Sequence, residues 1–262
     1  MASWSKFYLV RIEFLGFRYH GWQKQTKYRS VQGMVDKTLL FILGHEDFKT
    51  LGCGRTDAKV SADDFAFELF LRDPIAVDAF LVSFNKNLPS DIRVKSIAEI
   101  DSNFNIIQNS KFKEYHYYFS SGSKSHPFNA PLVRDFGKLL DISLMRSAAQ
   151  CFLGTHNFKR YASKPSANTK FEREIVLSEI VLNDRITGSF LPEKSYVFKV
   201  KSKGFLRYQV RLMVGALVDV GRGESSLDDI RESLENFDGL QIKHIAPSSG
   251  LVLNKVVFID QP

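Results

Sequence analysis

The sequence predicts an α+β fold of two mixed α/β lobes, with mainly antiparallel sheets, around a central basic cleft. Two observations support this: each half of the chain mixes short alternating strands with amphipathic helices, and 36 Lys and Arg outnumber 29 Asp and Glu. A chain of 262 residues can bury one large core or two small ones. We expect an N-terminal lobe over residues 1–105, a C-terminal lobe over 106–262, and the cleft between them.

The first lobe is predicted to alternate strands and helices. Runs of β-branched and aromatic residues predict strands at 7–15, 48–51, 65–71 and 92–100. Apolar residues at helical spacing predict helices at 31–43 and 74–84, the first with Ser30 as N-cap and Gly44 as terminator.

The second lobe repeats the mixture. Strands are predicted at 113–119, 175–182 and 196–201, and helices at 142–152 and 205–220. In the last helix, Arg207 and Arg211 stand four residues apart and are expected on one face. Segments 121–131 and 163–168, rich in Ser, Pro, Gly and Asn, predict exposed loops.

Composition narrows the class of protein. A net charge of +7 suits a polyanionic partner, although an ordinary basic protein has a similar excess. Cys53 and Cys151 are far apart, which argues against a disulfide framework or a cysteine-rich zinc site and favours a reducing cytoplasm. No apolar run approaches the ~18 residues of a membrane span, so we expect a soluble protein. His156 is expected in a packed loop, because no second ligand stands at metal-binding spacing.

The loop sequence Gly54-Arg55-Thr56-Asp57 is the strongest candidate for chemistry. By itself, such a triplet is more often a turn or a helix cap. Here it follows a strand in a basic chain that also contains Tyr115 and the arginines of the last predicted helix. Such a set could cluster around one flipped base.

These residues resemble the TruA family of tRNA pseudouridine synthases, whose signature is similar to GRTDAKVSA at residues 54–62. Six further segments resemble the family in the expected order: GWQKQ at 21–25 with VQ at 31–32, NLPSDI at 87–92, KEYHY at 113–117, GTHNF at 154–158, FLRYQVR at 205–211 and APSSGL at 246–251. The resemblance spans nearly the whole chain, and chance is a poor explanation for so many ordered matches.

The resemblance implies isomerisation of uridine in tRNA, with no cofactor, by a cytoplasmic homodimer acting on the 3′ side of the anticodon stem-loop. It implies that Asp57 is the catalytic carboxylate, that Arg211 pairs with it, and that Tyr115 packs on the target base. Arg55 would fill the space that the base leaves, or contact phosphate, and Leu251 would cover the base's other face.

The resemblance also implies a tRNA-contacting surface. Its expected members in the first loop are Trp22, Gln23, Lys24, Lys27 and Arg29. Arg207 is a further expected substrate contact.

Two departures from the family pattern keep alternatives open. Lys59-Val60-Ser61 replaces the glycine-valine-histidine of many members, and Phe104-Asn105-Ile106-Ile107 stands where a histidine and an arginine are common. The alternatives are a synthase of this fold acting at another RNA position, a catalytically silent tRNA-binding protein, and an unrelated basic α/β protein.

Overall fold

The computed structural model describes residues 4–236 and 238–259, and the chain forms two compact units. The first contains the residues up to Lys111 and those from Leu253 onward, and the second is Phe112–Val252. Helices and mainly antiparallel strands occur in both units, which confirms the predicted α+β class.

The first unit is built on a central antiparallel strand. Its strands are β1 (Lys6–Phe14), β2 (Lys49–Gly52), β3 (Ser61–Leu71) and β4 (Ile92–Glu99). β1 pairs antiparallel with both β3 and β4, and β2 pairs antiparallel with β3. Val10 and Ile12 of β1 are fully buried, because alternate side chains of a strand point to the same face.

Two helices, α1 (Val31–Leu43) and α2 (Val77–Asn87), complete this unit. α1 has the predicted bounds and caps: the Ser30 hydroxyl accepts from the amide of Gly33 at 3.2 Å, and Gly44 ends the helix at φ 75°. α2 begins three residues later than predicted. The amide of Ile75 donates to the Tyr8 hydroxyl at 3.1 Å, which holds the segment before the helix against β1.

The second unit contains β5 (Ser110–Ser120, whose first two residues belong to the first unit), β6 (Arg134–Asp135), β7 (Gly154–Asn157), β8 (Glu172–Leu182) and β9 (Tyr196–Ser202). The order β5-β9-β8-β7 is antiparallel throughout, and the short β6 runs parallel to β5. The helices are α3 (Ile142–Gln150), α4 (Gln209–Gly221) and α5 (Leu227–Glu235). The last strand, β10 (Leu251–Phe258), lies mostly in the first unit and neighbours β3.

The start of α4 corrects the sequence prediction. The helix begins at Gln209, not at residue 205, because Tyr208 has a left-handed backbone with φ 64° that cannot continue a right-handed helix. Arg207 therefore precedes the helix, and the prediction that Arg207 and Arg211 share one helix face is wrong.

Two other sequence expectations concern membranes and cysteines. Across residues 4–236 and 238–259, no helix combines the length and the apolar character that crossing a bilayer requires. Cys53 and Cys151 are not joined by a disulfide.

Candidate active site

Asp57 lies in the loop between β2 and β3, in the first unit. Hydrogen bonds fix the backbone of this loop at both ends. The amide of Cys53 donates to the carbonyl of Ala66 at 2.9 Å, and the amide of Val60 donates to the carbonyl of Asp57 at 3.2 Å. Asp57 is partly exposed and Arg55 is exposed. The loop thus presents a carboxylate and a guanidinium from a constrained backbone, which is what a pre-organised catalytic group needs.

The first loop holds the Asp57 loop from one side. The buried hydroxyl of Thr56 accepts a hydrogen bond from the amide of Trp22 at 3.0 Å. Gly21 is required at this junction: its φ is +83°, and a Cβ there would come within 2.1 Å of the Thr56 carbonyl oxygen. On the other side of Asp57, the amide of Lys59 donates to the carbonyl of Tyr19 at 2.9 Å.

Trp22 does not lie on the surface, so the expectation that its ring meets tRNA is wrong. The side chain is 1% exposed and packs on Phe65 and Phe67, with ring centroids at 4.3 Å and 5.6 Å. A Cβ at Gly52 would lie 2.3 Å from the indole nitrogen, so the ring fills a close-packed space. Trp22 supports the loop from beneath.

Gln23 and Lys24 are exposed, as expected of residues that meet RNA. Both are organised by the buried Gln32 of α1, whose side-chain oxygen accepts from the Gln23 amide group and from the Lys24 backbone, each at 3.0 Å. The Gln32 nitrogen donates to the Thr50 carbonyl at 3.2 Å. Sequence reasoning did not predict this role of Gln32, although Gln32 is a polar residue on the apolar face of α1.

In the second unit, Tyr115 lies on β5 opposite Val200 of β9. Its ring is partly buried and meets the ring of Phe205 edge-on, at 5.3 Å and 87°. Tyr117, two residues along the strand, is a contrast: it is fully buried, donates to the Pro247 carbonyl at 2.8 Å, and has a pKa raised by burial. Of these two tyrosines, only Tyr115 offers an accessible ring.

Arg211 lies in the first turn of α4 and is partly buried. Its Nε donates to the carbonyl of Ala246 at 2.7 Å, and the amide of Ala246 donates to the carbonyl of Arg211 at 3.0 Å. The guanidinium carbons of Arg211 and of the exposed Arg207 lie 4.8 Å and 5.1 Å from the Tyr208 ring centroid. These contacts fix the orientation of the Arg211 side chain.

Leu251 begins β10 and is buried. It follows Gly250, whose φ is +93° and where a Cβ would lie 2.6 Å from the Tyr118 carbonyl oxygen. The amide of Leu251 donates to the Ser248 carbonyl at 3.1 Å. The turn before β10 thus requires glycine and fixes the position of Leu251.

The described residues contain no cluster of three or more His, Cys, Asp or Glu that could hold a metal ion. The Nε2 atom of His156 lies 2.7 Å from the carbonyl oxygen of Leu153. His156 therefore contacts its own loop.

Comparison with known proteins gives a consistent result. Residues 148–258 match a family model described as tRNA pseudouridine synthase. A protein of Clostridium botulinum called tRNA pseudouridine synthase A is 32% identical over 94% of this chain and 97% of its own length. A protein of the same name from Acetivibrio thermocellus is 31% identical over 94% of this chain and 97% of its own length. Another, from Thermodesulfovibrio yellowstonii, is 29% identical over 95% of this chain and 98% of its own length. The chain therefore belongs to the tRNA pseudouridine synthase A family of isomerases.

Proposed function

We propose that this chain converts uridine to pseudouridine in tRNA, on the 3′ side of the anticodon stem-loop, with Asp57 as the catalytic carboxylate. The observation that carries the proposal is the GRTD loop, which presents Asp57 from a backbone held by Thr56 and Lys59. Relatives called tRNA pseudouridine synthase A match nearly the whole chain, which supports tRNA as the substrate.

The reaction is an isomerisation with no net gain or loss of atoms. The C1′–N1 glycosidic bond breaks, the uracil turns and C5 bonds to C1′. The proton on C5 is released to solvent and N1 takes one up, so the proton count is unchanged. An ionised Asp57 can act as a nucleophile, or it can assist departure of the base and removal of the C2′ proton. Both roles need a carboxylate at a fixed position beside the sugar.

The other site residues receive roles from their chemistry. Tyr115 packs on the extruded uracil, since its ring is accessible on β5. Arg211 keeps Asp57 ionised, and its bond to the Ala246 carbonyl supports a single orientation. Arg55 contacts phosphate or fills the space that the base leaves, and Leu251 lies against the base.

The exposed segment 23–29 contributes to tRNA binding. It carries three cations, Lys24, Lys27 and Arg29, and no acidic residue. Arg207 adds an exposed cation in the second unit. Cations that face phosphates provide affinity without sequence preference, whereas the site around Asp57 provides selectivity. We further propose that the protein acts as a homodimer in the cytoplasm.

A second candidate function is the same reaction at another RNA position. It is favoured by residues 104–107, which lack the histidine and arginine common there. The segment is closed to RNA at Ile106, which is fully buried and whose amide donates to the Glu68 carboxylate at 2.6 Å. A substrate contact expected at this place is therefore missing.

The test is a map of pseudouridine across cellular tRNAs from cells that contain the wild-type protein, Asp57→Asn, or no protein. We expect sites on the 3′ side of the anticodon stem-loop to be lost in both mutant strains. Loss at other RNA positions would support the second candidate. An unchanged map would contradict both.

A further inference from the structure

Two aromatic rings, one within segment 23–29 and one just before it, stack on the surface of the first unit, and neither has been given a role of its own above. His20 and Tyr28 lie with ring centroids 4.4 Å apart and planes inclined by 27°. Tyr28 is 53% exposed and His20 is exposed as well. A single exposed ring is common in proteins, but an exposed stacked pair that is held in place is a ready surface for a third flat group.

The backbone holds both rings in position. The amide of His20 donates to the carbonyl of Arg29 at 2.8 Å, and the side chain of Gln25 donates to the carbonyl of His20 at 3.0 Å. Gln25 and Tyr28 also form an antiparallel bridge. The pair is therefore fixed before any ligand arrives, so binding loses little conformational entropy.

The neighbours of His20 bond to both sides of the Asp57 loop. Gly21 packs against the carbonyl of Thr56, and the carbonyl of Tyr19 accepts from the amide of Lys59. A group stacked on this pair is consequently held in register with the proposed catalytic loop.

The charges around the pair favour an anionic ligand. Lys27 and Arg29 flank Tyr28 in a segment that has no carboxylate of its own, whereas Lys24 forms an ion pair with Asp36 of α1 at 3.1 Å. The Arg29 guanidinium lies 5.0 Å from the centroid of the Tyr19 ring. Flat rings interspersed with cations are typical of surfaces that bind single-stranded nucleic acid by stacking bases and attracting phosphates.

We propose that the His20–Tyr28 pair is a stacking platform for an unpaired base of the RNA substrate, different from the uridine that is isomerised. The proposal relies on the proposed function for the class of substrate. The target uridine is already assigned to Tyr115. The platform therefore takes a second unpaired nucleotide and helps to place the target beside Asp57.

The test compares the binding of unmodified tRNA transcript by the wild-type protein and three variants. Tyr28→Ala should raise the Kd about five- to a hundredfold, the range expected for loss of one stacked base. Tyr28→Phe, which keeps the flat face, should stay within about twofold of wild type. Phe41→Ala is the matched control, since it removes a ring that is 74% exposed on α1 of the same unit, and its Kd should not change.

Two further measurements identify the ligand. The slope of log Kd against log salt should be the same for Tyr28→Ala and the wild type, because no cation is lost. A blunt RNA duplex, which has no unpaired base, should bind equally to both proteins. If Tyr28→Ala fails to fold, as judged by its thermal transition, Tyr28→Leu replaces it and should weaken tRNA binding in the same range.

The platform is refuted if Tyr28→Ala binds tRNA as the wild type does, or if it loses the same affinity for the duplex. Failure of the proposed function is a separate result: the wild-type protein would release no tritium from tRNA labelled at C5 of uridine. Tritium release by the wild type with unaltered tRNA binding by Tyr28→Ala would overturn the platform alone.

Discussion

The hydroxyl of Thr56 accepts a hydrogen bond from the backbone amide of Trp22 at 3.0 Å, which joins two segments 34 residues apart. Because Trp22 is 1% exposed, water cannot reach its amide to replace the Thr56 hydroxyl when that hydroxyl is removed. Thr56→Val should lower the free energy of unfolding by about 1–3 kcal/mol, the cost of a buried unsatisfied donor, and reduce turnover. Thr56→Ser keeps the hydroxyl and is the matched control. Urea denaturation and tritium release measure the two effects, and equal stability of Val and Ser variants would contradict this role.

Asp57→Asn separates chemistry from binding. The substitution keeps the shape of the side chain and removes the anion, and an amide is a poor nucleophile and base. We expect turnover to fall at least roughly a thousandfold. The affinity for tRNA should change little, because phosphate contacts come from other residues.

The measurements are tritium release from C5-labelled uridine in tRNA and filter binding on the same preparations. Asp73→Asn, at an exposed carboxylate of the same unit, is the control and should retain full activity. Tritium release by Asp57→Asn at the wild-type rate, with normal binding, would show that the catalytic assignment is wrong.

Gly215 of α4 positions the chain that contacts Arg211. A Cβ at Gly215 would come within 1.8 Å of the His244 carbonyl oxygen. Two residues after His244, the carbonyl of Ala246 accepts the hydrogen bond from Arg211 Nε. Gly215→Ala should displace this segment, lower the free energy of unfolding by about 1–3 kcal/mol and reduce kcat. Gly204→Ala, where a Cβ would meet no atom within 4 Å, should leave both unchanged. Wild-type kcat in a destabilised Gly215→Ala protein would argue against a role in positioning Arg211.

Tyr19 makes the stability of the protein sensitive to alkaline pH. Burial, followed by its hydrogen bond to the Asp91 carboxylate at 2.6 Å, raises its pKa to about 12, from 10.0. Because the folded pKa is raised, the stabilising contribution is complete below pH 10 and is lost as the pH rises towards 12. Urea denaturation across this range should give a shallower decline for Tyr19→Phe than for the wild type. Parallel declines would exclude this contribution.

Salt dependence should reveal the cations that face RNA. Affinity for tRNA should fall steeply with salt, and Lys27→Gln should reduce the magnitude of the log–log slope by nearly one unit, as expected for loss of one phosphate contact. Lys86→Gln, an exposed lysine in the last turn of α2, is the control and should leave the slope unchanged. Equal slopes for Lys27→Gln and the wild type would show that Lys27 does not contact a phosphate of the RNA.

Local sequence signals were enough for several elements. The bounds of α1 could be predicted because Ser30 and Gly44 act on the backbone next to them. The sequence prediction missed the short strands β6 and β7, and it also missed α5 and β10, although local signals for the last two were present. α5 begins with a capping box between Ser226 and Asp229, and β10 is rich in β-branched residues.

The sequence by itself determined the α+β class and, through the resemblance it carries, the family and the candidate residues. These depend on the period of apolar residues and on short ordered motifs, which are properties of neighbouring positions. Tertiary structure decided that Trp22 is a core residue, that Gln32 organises the loop beside it, and that Arg207 lies before α4. Each of these depends on contacts between distant segments or on the left-handed backbone of Tyr208, and local propensity does not encode either.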